Sequence, residues 1–200
     1  MGLYEDRLHD FIVKPGNFDY AWEMYEAVPT VRARLRREFM DEFEKFAGTQ
    51  AKGGKWQCWR IEGEKVGISK QLWSRVFAID LYVGSQYCQS VGVWHDRTDE
   101  RLAERQEDLQ RELKDHAAPY AKELGTSRSG SSDLWYLVLG TNFEKLSEMR
   151  GLLPDNREAL MHEYWERMIR LSEIFEPVID RFMEGLTGQS VTPDVGTPPG

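Results

Sequence analysis

Cysteine is scarce in this sequence: among 200 residues, only Cys58 and Cys88 carry a thiol. Two cysteines are too few for a disulfide scaffold, and they lack metal-ligand spacing, so we expect buried, reduced thiols. Long apolar runs are also absent, and with a mean hydropathy of −0.59 the sequence predicts no transmembrane helix. The charged start, residues 1–14, lacks the apolar stretch of a secretory signal, so we expect a cytoplasmic protein with no membrane partner.

Positive charge is in the minority, with 26 Lys and Arg residues against 34 Asp and Glu residues and a net charge of −8. This balance argues against a general polyanion binder, because phosphate contacts need a clustered positive face. Aromatic residues make up 12% of the chain, which is too many for a disordered protein. We therefore expect a globular protein that buries a core.

The motifs of several enzyme classes are missing. The sequence has no GxxxxGK[ST] phosphate loop, no GxGxxG turn and no GxSxG nucleophile motif. His162-Glu163 begins like the zinc motif HExxH, but Glu166 stands where the second histidine would be. We expect no catalytic residue, no resident metal and no cofactor.

Apolar periodicity predicts the main helices. Residues 29–48 carry apolar side chains three or four positions apart, which is typical of a helix that Thr30 caps and Gly48 ends. A shorter helix is expected at about 18–27. A final long helix over 156–186 has a continuous apolar stripe, interrupted by a kink at Pro177. Because that stripe can pack on a second copy as well as on its own sheet, the oligomeric state stays open.

Between Trp56 and His95 the pattern changes to alternation, which is typical of strands. We predict one strand over 75–83, a second strand from Gln86 on, and a turn at Gly84-Ser85 between them. Two shorter strands are expected to turn at 62–64.

The rest of the chain adds a charged surface helix over 96–123, which Pro119 ends or kinks, a loop over 125–133 and a buried strand over 134–140. Strands followed by helices, without βαβ alternation, predict an α+β domain. We expect an antiparallel sheet of four or so strands, with helices packed on one face and a long C-terminal helix. The domain is expected to span residues 1–186, followed by a disordered Gly/Pro-rich tail over 187–200.

A run of arginines in the helix from Pro29 is the strongest candidate binding feature, although helical spacing disperses these side chains. Lysines in the next loop extend it, and tryptophans beside basic residues can stack on bases. The predicted partner-binding residues are Arg32, Arg34, Arg36, Arg37, Lys52, Lys55, Trp56 and Trp59. The alternative interpretation is a solvated helix face next to tryptophans that pack in the sheet.

Two other hypotheses stay open. A divalent-metal hydrolase would need Asp80, Glu62 and Glu64 close together, whereas a structural interpretation makes Asp80 a solvent-facing or hydrogen-bonded strand carboxylate. An acidic inhibitor would present the 96–123 helix to a basic groove, although its nine acidic residues are offset by six basic ones.

Several segments resemble an uncharacterised bacterial domain found at the C-terminus of proteins related to PD-(D/E)XK nucleases, some of them in phage-defence loci. The resemblance covers about residues 30–183 and rests on structural positions. The matching segments are Val66-Gly67-Ile68-Ser69, Ile79-Asp80-Leu81-Tyr82-Val83, 101–113, Leu134-Trp135-Tyr136 and Phe175-Glu176-Pro177-Val178-Ile179. It transfers no catalytic residue, and it implies a chain that binds a separate effector or acts as its decoy.

Together these observations predict a non-enzymatic binding or regulatory protein of prokaryotic or phage origin. Its expected partner is a protein that processes nucleic acid, such as a nuclease or a defence complex, and direct contact with nucleic acid is a further option. Recognition is assigned to the arginine-bearing helix and its neighbouring loops, because loops held by a rigid frame commonly carry binding residues.

Overall fold

The computed structural model describes residues 3–84, 89–124, 127–128, 133–139, 143 and 146–188. Its sheet is antiparallel and has the strand order β1-β2-β3-β4-β6-β5. The strands are β1 (Gln57–Glu62), β2 (Lys65–Ser69), β3 (Phe77–Val83), β4 (Gln89–His95), β5 (Ser127–Arg128) and β6 (Asp133–Leu139). The predicted α+β class with an antiparallel sheet is confirmed.

The turn between β1 and β2 lies at the predicted place. Gly63 has a φ of +30°, which a residue without a Cβ adopts most readily, and the predicted 62–64 turn is confirmed. Residues 85–88, which hold Ser85 of the predicted Gly84-Ser85 turn and the expected first residues of the next strand, lie outside the described residues. Part of the predicted 125–133 loop is instead the two-residue strand β5, which pairs with β6.

The two helices predicted at 18–27 and 29–48 are a single helix, α2 (Asn17–Ala51). Pro29 lies inside it, so the cap predicted at Thr30 is wrong. A proline inside a helix removes one backbone hydrogen bond, and α2 continues through Pro29 without it. The end predicted at Gly48 is also wrong. The helix continues to Ala51, and both Ala47 and Ala51 are buried against the rest of the protein. A short helix that was not predicted, α1 (Leu3–Ile12), precedes it.

The predicted charged helix is divided into α3 (Glu100–Ala103), α4 (Gln106–Ala117), a 3₁₀ turn and α5 (Ala121–Leu124). The 3₁₀ turn, Ala118–Tyr120, contains Pro119, so this proline ends α4 as predicted. The apolar stripe of Leu102, Leu109 and Leu113 is buried, as expected for a surface helix with one docked edge.

One short helix, α6 (Leu146–Met149), and two 3₁₀ turns lead into the long helix α7 (Arg157–Gly188). Its predicted stripe is almost entirely buried, with Tyr164, Met168 and Phe175 each fully inaccessible. Pro177 lies inside this helix, as expected. The helix continues to Gly188, past the predicted start of the tail, and residues 189–200 lie outside the described residues.

Helices cover one face of the sheet. Phe182 of α7 meets the Phe77 ring edge-on at 5.9 Å, and Phe175 contacts Trp135 at 4.8 Å. The buried half of α2 joins α7 through an edge-on contact between Phe39 and Tyr164. The predicted arrangement, with helices on one face and a long C-terminal helix among them, is therefore confirmed.

Gly92 in β4 offers a test of how tightly the sheet is packed. A Cβ at this position would lie 2.7 Å from the backbone oxygen of Trp135 and 2.9 Å from the Cβ of Tyr136. We expect Gly92→Ala to lower the free energy of unfolding by about 1–3 kcal/mol, because the backbone must shift to make room. Urea unfolding followed by circular dichroism measures the change.

Gly48 in α2 is the matched control, because its Cβ would meet no atom within 4 Å. Gly48→Ala is expected to raise the free energy of unfolding by about 0.5–1 kcal/mol through helix propensity. Equal effects of the two alanine substitutions would contradict the packing argument.

Candidate functional site

The four arginines predicted to bind a partner do not share one surface. Arg36 is only 5% exposed, and its Nε lies 4.0 Å from Glu64 Oε1. Arg37 is exposed, Arg32 is half-buried, and Arg34 donates from Nε to Glu38 at 2.8 Å. The helical rotation of 100° per residue turns Arg36 to the side of α2 that packs on the sheet, away from Arg34 and Arg37. Arg36 is therefore held inside the protein rather than offered to a ligand.

The lysines and tryptophans after α2 are also divided. Lys52 is exposed at the end of the helix, whereas the Lys55 ammonium pairs with Glu176 of α7 and lies 5.0 Å from the Trp56 ring. The Trp56 ring meets the buried Trp73 edge-on at 5.4 Å. Trp56 thus packs inward, which supports the structural interpretation of this residue.

Trp59 lies on the opposite side of the sheet. Its neighbour Cys58 packs against the core, and successive side chains of a strand point to opposite faces. The Arg75 guanidinium lies over the Trp59 ring, 5.5 Å from the ring centre. Trp56 and Trp59 therefore do not form one stacking platform with the arginines of α2.

Cys58 fits the expectation of a reduced structural thiol. It is half-buried, and its Sγ donates to the Glu44 backbone oxygen at 3.8 Å. Burial and the nearby Glu44 carboxylate raise the pKa of Cys58 to about 12, so the thiol stays protonated and is a poor nucleophile. Cys88 lies outside the described residues.

A buried charge cluster lies on the sheet face away from the helices. Lys65 Nζ is 2.8 Å from Asp133 Oδ1 and 3.5 Å from Asp80 Oδ2. All three residues are less than 10% exposed, with Asp80 at 2%. Asp80 is thus a paired, buried carboxylate, so the solvent-facing alternative is wrong for this residue. Its second oxygen, Oδ1, has no hydrogen-bond partner.

The cluster alters the ionisation of its members. Burial, reinforced by the charge of Asp133, raises the pKa of Asp80 to about 7. Burial lowers the pKa of Lys65, but the two carboxylates outweigh it, so the net pKa is raised and the ammonium stays charged. Lys65 is therefore a permanent cation placed between two carboxyl groups, and Asp80 titrates near neutral pH.

Sequence reasoning missed Lys65 and Asp133 as the partners of Asp80. Lys65 stands opposite Tyr82 in the β2–β3 register, two residues along the strand from Asp80, and this register follows the hydrophobic alternation. Asp133 begins β6, which pairs with β4 in the sheet although α3, α4 and α5 separate the two strands along the chain. A signal for Lys65 was therefore present in the sequence, whereas none identified Asp133.

The carboxylates of the metal-hydrolase hypothesis are not assembled. Glu62 and Glu64 lie at the β1–β2 turn, and Glu64 faces Arg36 across 4.0 Å. Within the described ranges, no group of three or more His, Cys, Asp or Glu side chains is placed to hold a metal ion.

The charged helix of the inhibitor hypothesis has partners of its own. On α4, Asp108 pairs with Arg111, and Glu112 accepts from Arg181 of α7 at 2.7 Å. Carboxylates already offset in this way project less field toward a basic groove. The structure thus offers this helix little free negative charge at these positions.

Exposed apolar side chains are concentrated on α1 and on the part of α2 up to Val31, residues 3–31, which we call the arm. Among the described residues, ten of the twelve large hydrophobic side chains that are exposed lie within 8–31. Every residue from Trp22 to Val31 is exposed, so this stretch of helix has no body beneath it. Patches of this kind mark interaction sites in folded proteins.

The arm continues the packed side of α2. Phe18, Trp22 and Tyr25 follow each other at helical spacing, with ring centres 6.3 and 5.7 Å apart. Continuing the same spacing leads to Arg32, Arg36 and Phe39, the last of which is fully buried against the core. The core-facing stripe of α2 is therefore longer than the core that it covers. The sequence predicts a short helix here, at about 18–27, but gives no sign that its aromatic side chains are exposed.

No known protein family, curated protein or solved structure matches this chain. The resemblance to the nuclease-associated domain stays a prediction. Among the described residues, no helix is both long enough and apolar enough to cross a membrane.

The raised pKa of Asp80 predicts a pH-dependent stability. Between the ordinary pKa of about 4 and the folded value of about 7, the folded state holds a proton that the unfolded chain has released. The contribution of Asp80 to the free energy of unfolding therefore falls as pH rises through this window. We expect Asp80→Asn, which cannot ionise, to gain stability relative to the wild type by on the order of 1–3 kcal/mol between pH 5 and pH 8.

Chemical unfolding at several pH values measures this difference. Glu62→Gln is the control, because Glu62 is an exposed carboxylate of the same sheet. Stability curves for the wild type and Asp80→Asn that stay parallel across the window would show that Asp80 does not titrate there.

Proposed function

We propose that this chain is a non-enzymatic interaction protein that works by associating with protein through its arm. The observation that carries the proposal is the concentration of exposed apolar side chains within residues 8–31. Trp22 is 53% exposed and Tyr25 is 70% exposed. Their exposure supports a binding surface, because tryptophan and tyrosine are among the side chains that most often anchor protein interfaces.

The apolar side chains of the arm contribute little to stability while they are exposed to water. Residues 17–31 of α2 are about four helical turns without packing beneath them, and such a segment is marginally stable because tertiary packing supplies most of the stability of protein helices. Burying its aromatic side chains would add the missing contacts, at about 25 cal/mol per Å² of apolar surface. The arm therefore stands to gain order as well as affinity from a partner.

The charge of the arm favours protein over nucleic acid or an anionic membrane as the partner. Residues 3–31 hold six acidic and two basic side chains, a formal charge of −4. A nucleic acid or an anionic membrane would be repelled by this surface. A nuclease or another nucleic-acid-processing protein of a prokaryotic or phage system, as expected from the sequence, remains the proposed complex that the chain serves.

Affinity purification from the native host, compared between variants, tests the proposal. We expect the tagged wild-type chain to retain at least one protein, which can be an untagged copy of the same chain. The double variant Trp22→Ala/Tyr25→Ala should lower the recovery of that protein by at least about tenfold. Mass spectrometry quantifies the recovery, and re-association of the purified components verifies a direct contact.

Leu72→Ala is the matched control, because Leu72 is an exposed apolar side chain off the arm, at 38% exposure. It should retain the same proteins as the wild type. Identical recovery from the wild type and the arm variant, with the untagged chain included, would contradict the proposal.

A further inference from the structure

We propose that the protein surface bound by the arm is apolar and carries an arginine at its edge, and that this arginine bridges Glu23 and Glu26. This inference rests on the proposed function, since it names the chemistry of the protein that covers the same surface. Its basis is a pattern of side chains that occurs twice in α2, once on the arm and once where the helix packs on the body of the protein.

The two segments that share the pattern are residues 22–26, which we call the arm segment, and residues 40–44, which we call the packed segment. They read Trp-Glu-Met-Tyr-Glu and Met-Asp-Glu-Phe-Glu. In both, the first and fourth residues are large and apolar, and the second and fifth are acidic. The segments begin 18 residues apart, which is five full turns of an α-helix. Equivalent positions therefore face the same side of α2, about 27 Å apart along its axis.

The packed segment shows what kind of surface completes this pattern. Met40 and Phe43 are fully buried in the core. Beside them, the Arg60 guanidinium of β1 bridges both acids, with Nη2 at 2.7 Å from Asp41 Oδ1 and Nε at 3.0 Å from Glu44 Oε2. Residues three positions apart on a helix are surface neighbours, so one planar guanidinium can reach both carboxylates. The complement of the packed segment is thus an apolar surface with an arginine at its edge.

The arm segment has the same side chains without that complement. Trp22 and Tyr25 are each more than half exposed. Among the described residues, none pairs with Glu23, and Glu26 accepts a hydrogen bond from Trp22 Nε1 at 2.9 Å through one of its two oxygens. The described part of the chain therefore completes the pattern at the packed segment and leaves it open at the arm segment.

Binding at the two aromatic side chains would draw the neighbouring acids out of water. A carboxylate that loses water needs a hydrogen-bonded cation in exchange, because burying an unpaired charge is costly. Arginine meets this need for two carboxylates at once, since its planar fork donates in several directions, whereas lysine offers a single point charge. Arginine is also enriched, with tryptophan and tyrosine, at the positions that dominate the binding energy of interfaces.

The protein that the wild-type chain retains in the affinity purification, once purified, is the probe for the test. Isothermal titration calorimetry at low salt measures its Kd for each variant. Glu23→Gln/Glu26→Gln should weaken binding about tenfold, because the arginine loses both of its charged partners. Glutamine keeps the oxygen that accepts from Trp22, so the aromatic surface is preserved. The difference from the wild type should shrink at about 300 mM NaCl, because salt screens the pair.

Glu104→Gln/Glu107→Gln is the matched control. It removes the same charge from two exposed acids that are also three positions apart but lie off the arm. Its Kd should equal that of the wild type. Circular dichroism should show that both double variants keep the helix content of the wild type.

A double-mutant cycle tests the arginine itself. Alanine substitution of the surface arginines of the retained protein, one at a time, should identify one that weakens wild-type binding about tenfold. The same substitution should not weaken the binding of Glu23→Gln/Glu26→Gln further, since the two changes remove one interaction. Lysine at that position should leave binding at least about threefold weaker than arginine does, because an ammonium does not bridge the two carboxylates in the same way.

Two results would overturn the inference. One is a Glu23→Gln/Glu26→Gln variant that binds as tightly as the wild type at low salt, while Trp22→Ala/Tyr25→Ala does not bind. In that case the arm binds protein without an arginine bridge, and the proposed function stands. The other is a set of arginine substitutions whose effects all add to those of Glu23→Gln/Glu26→Gln, since additivity means that no arginine contacts these acids.

Discussion

One apolar contact organises this protein: the helix-facing side of the sheet packs against the stripes of α2 and α7. Phe39, Phe43 and Met40 of α2 and Phe175 and Ile179 of α7 are almost fully buried in it. Each stripe follows the helical period, so its side chains point in the same direction at every turn of the helix, including the turns beyond the sheet. The direction and aromatic character of the arm follow from this contact, since the arm is the part of the same stripe that extends past the sheet.

The elements that depend on local pattern could be predicted from the sequence. Alternation identified β3 and β6, the 3.6-residue period identified α7, and Pro119 marked the end of α4. The boundaries of α2 could not be predicted, because a proline and a glycine that usually delimit helices lie inside it. Packing of Ala47 and Ala51 outweighs the weak local preference at its C-terminal end.

The candidate site was less accessible to sequence reasoning. Arg36 was grouped with the exposed arginines because sequence shows its charge but not its burial. The exposure of the aromatics at 18–25 could not be predicted, because a helix pattern is the same whether or not a core lies beneath it. Exposure depends on how far the sheet extends, which is a property of the assembled fold.

The cluster of Lys65, Asp80 and Asp133 links strands that are distant in sequence. Burying an ion pair stabilises a fold little, because desolvation offsets most of the attraction, but leaving one partner alone is costly. A register shift of one residue would turn Asp80 or Lys65 into the helix-facing core. The cluster therefore selects one alignment of β2, β3 and β6 over its neighbours.

Pro29 gives the long helix a mechanical property that neither of its halves has. Without an amide proton there, the carbonyl oxygen of Tyr25 loses its intrahelical donor, and an exposed helix bends most easily at such a place. The arm can tilt against the body at this joint while its aromatic surface stays intact. A protein that bound the arm as proposed would therefore be joined to the sheet through a helix that bends more easily at Pro29 than elsewhere.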